Sequence, residues 1–118
     1  MSGITTHIGN RGEEAAVQWL REQGYYIVER NWRAASYEID IIAEHFDTIH
    51  FIEVKTRHIS GWQSPFDSID GRKMRSLRRA ATLYRTLRHL PHKMQFDLIA
   101  ITIDDHGRYS VEYIENLM

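Results

Sequence analysis

The chain has 118 residues, enough for one domain around a single core and too few for two. With 42% hydrophobic and 26% charged residues it falls in the range of folded globular chains, which sets disorder aside as its general state. The absence of cysteine rules out a disulfide framework and any cysteine-based zinc site, and a formal net charge of -1 argues at first sight against a polyanionic partner.

In chain order, Met1–His7 lacks the charged and apolar blocks of a signal peptide. No apolar run approaches the roughly 20 residues that span a bilayer. A cytoplasmic location with no membrane partner is therefore expected. The first strong element is a helix from Gly12 to Gln23, with Ala15, Ala16, Trp19 and Leu20 on one apolar face and Gly24 as its stop. Tyr25–Trp32 reads as a strand of aromatic and β-branched residues. A second strand covers Tyr37–Ala43, and strict alternation places Ile39, Ile41 and Ala43 on one face and Glu38, Asp40 and Ile42 on the other. His45-Phe46-Asp47 serves as a hairpin turn into a third strand, Thr48–Thr56, which is apolar on both faces and so expected at the centre of a sheet. On that strand Ile49, Phe51, Glu53 and Lys55 share a face, and His50, Ile52, Val54 and Thr56 share the other.

His58–Ile69, with Gly61, Trp62 and Pro65, reads as a long ordered loop. A second helix over Asp70–Leu90 would bury Met74, Leu77, Ala80, Ala81, Leu83, Tyr84 and Leu87 and end at Pro91. Strands at Phe96–Ile103 and Tyr109–Ile114, joined by a turn over residues 104–107, complete the chain. The expected fold is α/β, a central mixed sheet flanked by helices in the order helix, three strands, helix, two strands, as one domain over residues 1–118.

The residues that point to chemistry lie on the second and third strands. Glu53 and Lys55 project together, and pairing of the two strands would bring Asp40 beside Glu53, one strand spacing of about 4.8 Å away. Two carboxylates that close repel unless a proton or a cation lies between them, and hard oxygen donors suit Mg²⁺ or Mn²⁺, with the Val54 carbonyl as a third protein ligand. Lys55 can neutralise charge that develops on a phosphate or orient the attacking water. Glu13, on the first helix, can reach the site as an extra ligand or a base, and Glu38 shares the face of Asp40. Each feature alone has a plainer reading: Glu-x-Lys on a strand is commonly a solvated face, and acids near a helix start complement its dipole. The conjunction on adjacent strands is what singles them out.

Charge distribution removes the objection from net charge. From Arg57 through Lys93 there are nine Lys or Arg residues against two acids, Asp67 and Asp70. Arg57, Arg72, Lys73, Arg75 and Arg79 are the residues expected to meet nucleic-acid phosphates, the equally weighted plainer reading of the basic helix being a solvated face. The histidines form no good metal cluster; His50 reads as a packed strand residue, and His89 and His92 as exposed. Trp19 and Trp32 are expected in the core, Trp62 as a loop anchor or, less favoured, a platform for a stacked base, and Asp97 as a structural acid bonded to backbone.

Taken together, Gly9-Asn10-Arg11-Gly12-Glu13, Gly24-Tyr25, Arg30-Asn31-Trp32-Arg33, Glu38-Ile39-Asp40-Ile41-Ile42-Ala43, Phe51-Ile52-Glu53-Val54-Lys55-Thr56-Arg57, Lys73, Ala80-Ala81 and Phe96-Asp97 resemble the YraN family of bacterial proteins, over nearly the whole chain. The sequence is also similar to archaeal Holliday-junction resolvases, in which a first-helix glutamate corresponds to Glu13. The resemblance implies a restriction-endonuclease-like fold with a PD-(D/E)xK nuclease site formed by Asp40, Glu53 and Lys55. Tyr37 departs from the pattern, since the family usually has glycine there, and it is expected to alter access to the site. Two functions are carried forward: a metal-dependent endonuclease acting on DNA, branched DNA included, and a DNA-binding module without turnover on the same fold. Two cuts in DNA need two sites, which favours a homodimer.

Overall fold

A computed structural model describes residues 3–60, 70–89 and 93–117, with side chains from Arg11 onward. Seven elements follow in order: α1 (Gly3–Glu22), β1 (Tyr26–Ala34), β2 (Tyr37–His45), β3 (Thr48–His58), α2 (Gly71–Arg88), β4 (Lys93–Ile103) and β5 (Tyr109–Ile114). The strands form one sheet in the order β1-β2-β3-β4-β5. Neighbours are antiparallel except β3 and β4, which run parallel from Thr48↔Lys93 to His58↔Ile103 and are connected through α2. This is the α/β, helix–strands–helix–strands arrangement of a restriction-endonuclease-like core.

The two helices cover opposite faces of the sheet. Ala16, Val17 and Leu20 of α1 pack on Ile41, Ala43, Ile52, Ile99, Ile101 and Ile103. Leu77, Ala80, Ala81 and Tyr84 of α2 pack on Ile39, Ile42, Ile49, Phe51 and Phe96. Each fully buried aliphatic or aromatic side chain here contributes about 1.5–3 kcal/mol. β3, apolar on both faces, is the central strand as expected.

The helix ends have clear local causes. Gly24, at φ +92°, closes α1 with a Schellman arrangement in which the Tyr25 N–H donates to Leu20 O (2.9 Å) and the Gly24 N–H to Arg21 O (3.0 Å). Asp70 caps α2, its Oδ1 accepting the Lys73 N–H at 2.9 Å, and His89 ends the helix in the left-handed conformation at φ 54°. Pro91 is therefore not needed as the stop, and it lies with Trp62, His92 and residues 61–69 of the expected loop outside the described residues. α1 starts at Gly3 rather than Gly12, because a helix anchored by its docked turns propagates into the residues that flank them. β1 begins one residue later than expected and runs on to Ala34; β2 and β3 each extend two residues further, and β4 starts at Lys93. Leu87 does not join the core: the last turn of α2 leaves it 57% exposed. Trp19 and Trp32 are partly buried, edge-on to Tyr113 and Tyr84 respectively at 5.2 Å.

One break in the alternation of β2 matters for the site. Ile41 and Ala43 face α1, but Ile39 packs with Ile42 on the α2 side, so Ile39, Ile41 and Ala43 do not share a face. The β2–β3 ladder runs from His45↔Thr48 only as far as Ile41↔Ile52. On the other side, the register of β1 and β2 sets Asn31 against Asp40, and Asn31 has φ 51°, a left-handed conformation that asparagine tolerates. The strand thus turns at Asp40 and leaves its partner there.

Candidate active site

Where β2 parts from β3, the Asp40 side chain takes over from the missing ladder: its Oδ2 accepts the Val54 N–H at 2.8 Å. The N–H and C=O of one residue leave an extended strand along the same edge, so the Val54 carbonyl also faces this gap. Glu53 precedes it, 5% exposed, and lies on the α2 face with Phe51. Asp40 and Glu53 are close enough for the charge of one to act directly on the other. Burial first, and the Glu53 charge second, push the Asp40 carboxyl from 3.8 up to about 7, while the Val54 N–H works the other way. Lys55 follows two residues along β3 on the face of Glu53, partly exposed, with no ion pair to any described acid.

Glu13 approaches from α1. Gly12 makes this possible: a Cβ there would lie 1.9 Å from Thr56 Oγ1, so only glycine lets α1 come this close to β3. Glu13 adds to the charge felt by Asp40, and its Oε1 is buried with no hydrogen-bond partner. A buried carboxylate oxygen left bare is costly unless something positive or protic meets it. From the opposite face, α2 brings Lys73 Nζ to 3.1 Å from Glu53 Oε2. Burial tends to lower the Lys73 ammonium, yet Glu53, by charge and hydrogen bond, and then Asp40 and Glu38 hold it above the usual lysine range.

These residues suit a hard divalent cation in part. Asp40, Glu53 and the Val54 carbonyl supply oxygen donors, and Glu13 is near enough for its charge to act on Asp40. Among the described residues no three His, Cys, Asp or Glu side chains converge tightly enough to form a metal cage. Two carboxylates and one carbonyl leave the remaining coordination to water and substrate, the habit of Mg²⁺.

The other expected residues distribute as follows. Glu38 is exposed and pairs with Arg33 at 3.4 Å, on the rim rather than inside the pocket. Arg72, Arg75 and Arg79 are exposed along α2, whose first turn carries Lys73 into the site. Lys73 itself is engaged with Glu53 rather than presented outward. Arg57 continues the Glu53–Lys55 row and donates from Nε to Thr102 Oγ1 at 3.3 Å. Tyr37 packs partly buried beside the α2-side core.

Sequence reasoning missed a second buried polar group. His50 Nδ1 lies 2.6 Å from Asp97 Oδ2, which also accepts the Tyr113 hydroxyl; Asp97 Oδ1 accepts from Gln95 Nε2 (2.9 Å) and the Asn116 N–H (3.0 Å). The expected backbone bond of Asp97 is present, but three side chains join it. Burial raises the Asp97 carboxyl, and the bonds from His50, Tyr113, Gln95 and Asn116 outweigh it to hold the group below the usual carboxylate range. The only hint in the sequence was an aspartate in an otherwise apolar strand.

Comparison with known proteins agrees with the resemblance. A UPF0102 protein of Syntrophomonas wolfei is 40% identical over 115 residues, covering 96% of this chain and 98% of the relative. One from Persephonella marina is 43% identical over 94 residues, 79% of this chain and 81% of the relative, and one from Bacteroides thetaiotaomicron is 35% identical over 108 residues, 92% and 88%. The sequence pattern described as uncharacterised protein family UPF0102 matches residues 12–101, from Gly12 at the site into β4. The chain belongs to this family, UPF0102, the YraN family.

Proposed function

We propose that this protein is a divalent-metal-dependent endonuclease that hydrolyses phosphodiester bonds in DNA, with branched or structured DNA included among its substrates. The observation that carries this reading is the meeting of Asp40 and Glu53 in a mostly buried gap, with Lys55 alongside. An asparagine could accept the Val54 N–H as Asp40 does, and the repulsion of two carboxylates works against the folded state, so these contacts alone do not account for the pair. A binding module without turnover would need the basic helix but not this pair.

The roles follow from position. Asp40, Glu53 and the Val54 carbonyl hold Mg²⁺ or Mn²⁺. When bound, the ion supplies positive charge that polarises the scissile phosphate and makes a water nucleophile available near neutral pH. Lys55, on the same face, neutralises charge that develops on the phosphate or orients the attacking water. Glu13 approaches from the α1 side as an accessory base or outer ligand. Arg72, Arg75 and Arg79 run from the site along α2 and meet flanking phosphates, with Arg57 at the far end of the β3 row. An acidic pocket ringed by cations draws in a polyanion and leaves the charge for the ion inside. A homodimer would place two such sites on one DNA molecule.

The test is cleavage of labelled linear duplex, single-stranded, flapped and four-way-junction DNA with Mg²⁺ or Mn²⁺, beside Asp40→Asn. Cutting of at least one substrate by the parent, abolished in Asp40→Asn and by chelator, is expected. Equal cutting by both proteins, or none of any substrate by the parent, overturns the reading.

A further inference from the structure

Lys73 was expected on the nucleic-acid face of α2, yet its ammonium lies 3.1 Å from Glu53 Oε2 inside the site. It is the one cation among the described residues in an ion pair with the Asp40–Glu53 pair. Its two ends differ in freedom. The backbone is fixed, because Lys73 is in the first turn of α2 and its N–H donates to the capping Asp70 at 2.9 Å. The side chain is a flexible stem, 40% exposed where Glu53 is 7%. The ammonium can therefore leave Glu53 for solvent without any movement of the helix, whereas Glu53 cannot follow it.

We infer that Lys73 is an exchangeable counter-ion, holding Glu53 in the metal-free protein until a divalent cation takes that oxygen and releases the ammonium toward the Arg72–Arg75 rim. The inference rests on the proposed metal site and concerns how that site is controlled. An ammonium and a divalent ion compete for the same carboxylate, since the mutual repulsion of two cations at hydrogen-bond range is severe in a partly buried pocket. Lys73 thus keeps the acid pair folded and compact when empty, and weakens metal binding in proportion. Once released, its charge joins Arg72 and Arg75 on the surface that meets phosphate, so metal loading and DNA affinity rise together.

The experiment is Mn²⁺ titration of the full chain by calorimetry, without DNA, for the parent, Lys73→Met, Lys73→Gln and Asp40→Asn. Lys73→Met should bind Mn²⁺ about five- to tenfold more tightly than the parent. Lys73→Gln, which keeps a donor for Glu53 without the charge, should tighten binding in the same direction and serves if the methionine variant does not fold. A second readout is the Lys73 side-chain NMR signal on titration with diamagnetic Mg²⁺. It should move from that of a bonded ammonium to that of a solvated one as the site fills. If the neutral variants bind Mn²⁺ no more tightly than the parent, or if the Lys73 signal does not change while Mg²⁺ binds, the inference is overturned and the metal site stands. If the parent shows no metal binding that Asp40→Asn abolishes, the metal reading itself falls, and the inference with it.

Discussion

Replacing Asp40 by asparagine isolates the electrostatic character of the site. The asparagine carbonyl can still accept the Val54 N–H, which Asp40 Oδ2 holds at 2.8 Å, so the change removes a charge and little geometry. In the folded protein burial and Glu53 raise the Asp40 carboxyl from 3.8 to about 7. Below the unfolded value both states are protonated and Asp40 has no pH-linked effect. Between pH 4 and 7 the unfolded chain gives up its proton while the folded one retains it, so stability falls with rising pH, and above about pH 7 the loss is complete. At about 1.36 kcal/mol per tenfold change the ceiling is roughly 4 kcal/mol; relaxation and water entry reduce it to about 2 kcal/mol. Unfolding entropy of about 2.1 cal/mol/K per residue turns 2 kcal/mol into roughly 8 °C for a domain of this length. Thermal melts by circular dichroism from pH 4 to 9 in chelator should show Asp40→Asn equal to the parent at pH 4 and several degrees more stable at pH 8. Divalent metal should reverse the order at pH 8. At a hundred times its dissociation constant it adds about 2.7 kcal/mol to the parent and little to the variant. A variant less stable than the parent at pH 8 in chelator, or a difference that does not vary with pH, would make Asp40 a structural residue.

Other consequences are equally direct. Arg72→Glu with Arg75→Glu should weaken DNA binding and lower the slope of log affinity against log salt by about 1.8, two phosphate contacts at about 0.9 each; an unchanged slope returns these arginines to a solvated helix face. Gly12→Ala should destabilise the fold by about 1–3 kcal/mol, despite alanine's better helix propensity, because its methyl would strike Thr56, and chemical denaturation reads the loss. Asp97→Asn should cost about 1–3 kcal/mol at pH 7. Because the folded Asp97 carboxyl is held below its ordinary value, the stability it brings is present above the unfolded pKa and lost as pH falls through the folded one, so acid unfolding should be shallower in this variant.

Much of the geometry of the candidate site was legible because a strand's period is two: β3 pairs with β4 in unbroken register, so Glu53 and Lys55 share a face as simple alternation requires. Asp40 was found for a partly mistaken reason. Strict alternation set Ile39 with Ile41, but the turn of β2 at Asp40 separates them, and the aspartate meets Glu53 where the ladder stops rather than as a regular cross-strand neighbour. Such a break is a tertiary event with no local signature beyond an asparagine opposite. Gly12 and Glu13 were visible as motif residues, yet why glycine is needed became clear only from the closeness of Thr56. Lys73 belonged by composition to the basic helix, and its inward reach depends on how α2 sits over β3, which periodicity does not fix. The His50–Asp97–Tyr113 group joins the neighbouring strands β4 and β5 to His50 on β3, 47 residues before Asp97, so no local spacing rule could assemble it.

We propose that Glu53 and Lys55 serve reaction chemistry rather than the holding of DNA. Single-turnover cleavage and equilibrium affinity, measured on the same preparations of parent, Glu53→Gln and Lys55→Ala with the substrate the parent cuts best, test it most directly. Both variants should lose cleavage and retain most of the DNA affinity; variants that cut as fast as the parent, or that lose cleavage only in step with binding, would overturn these roles.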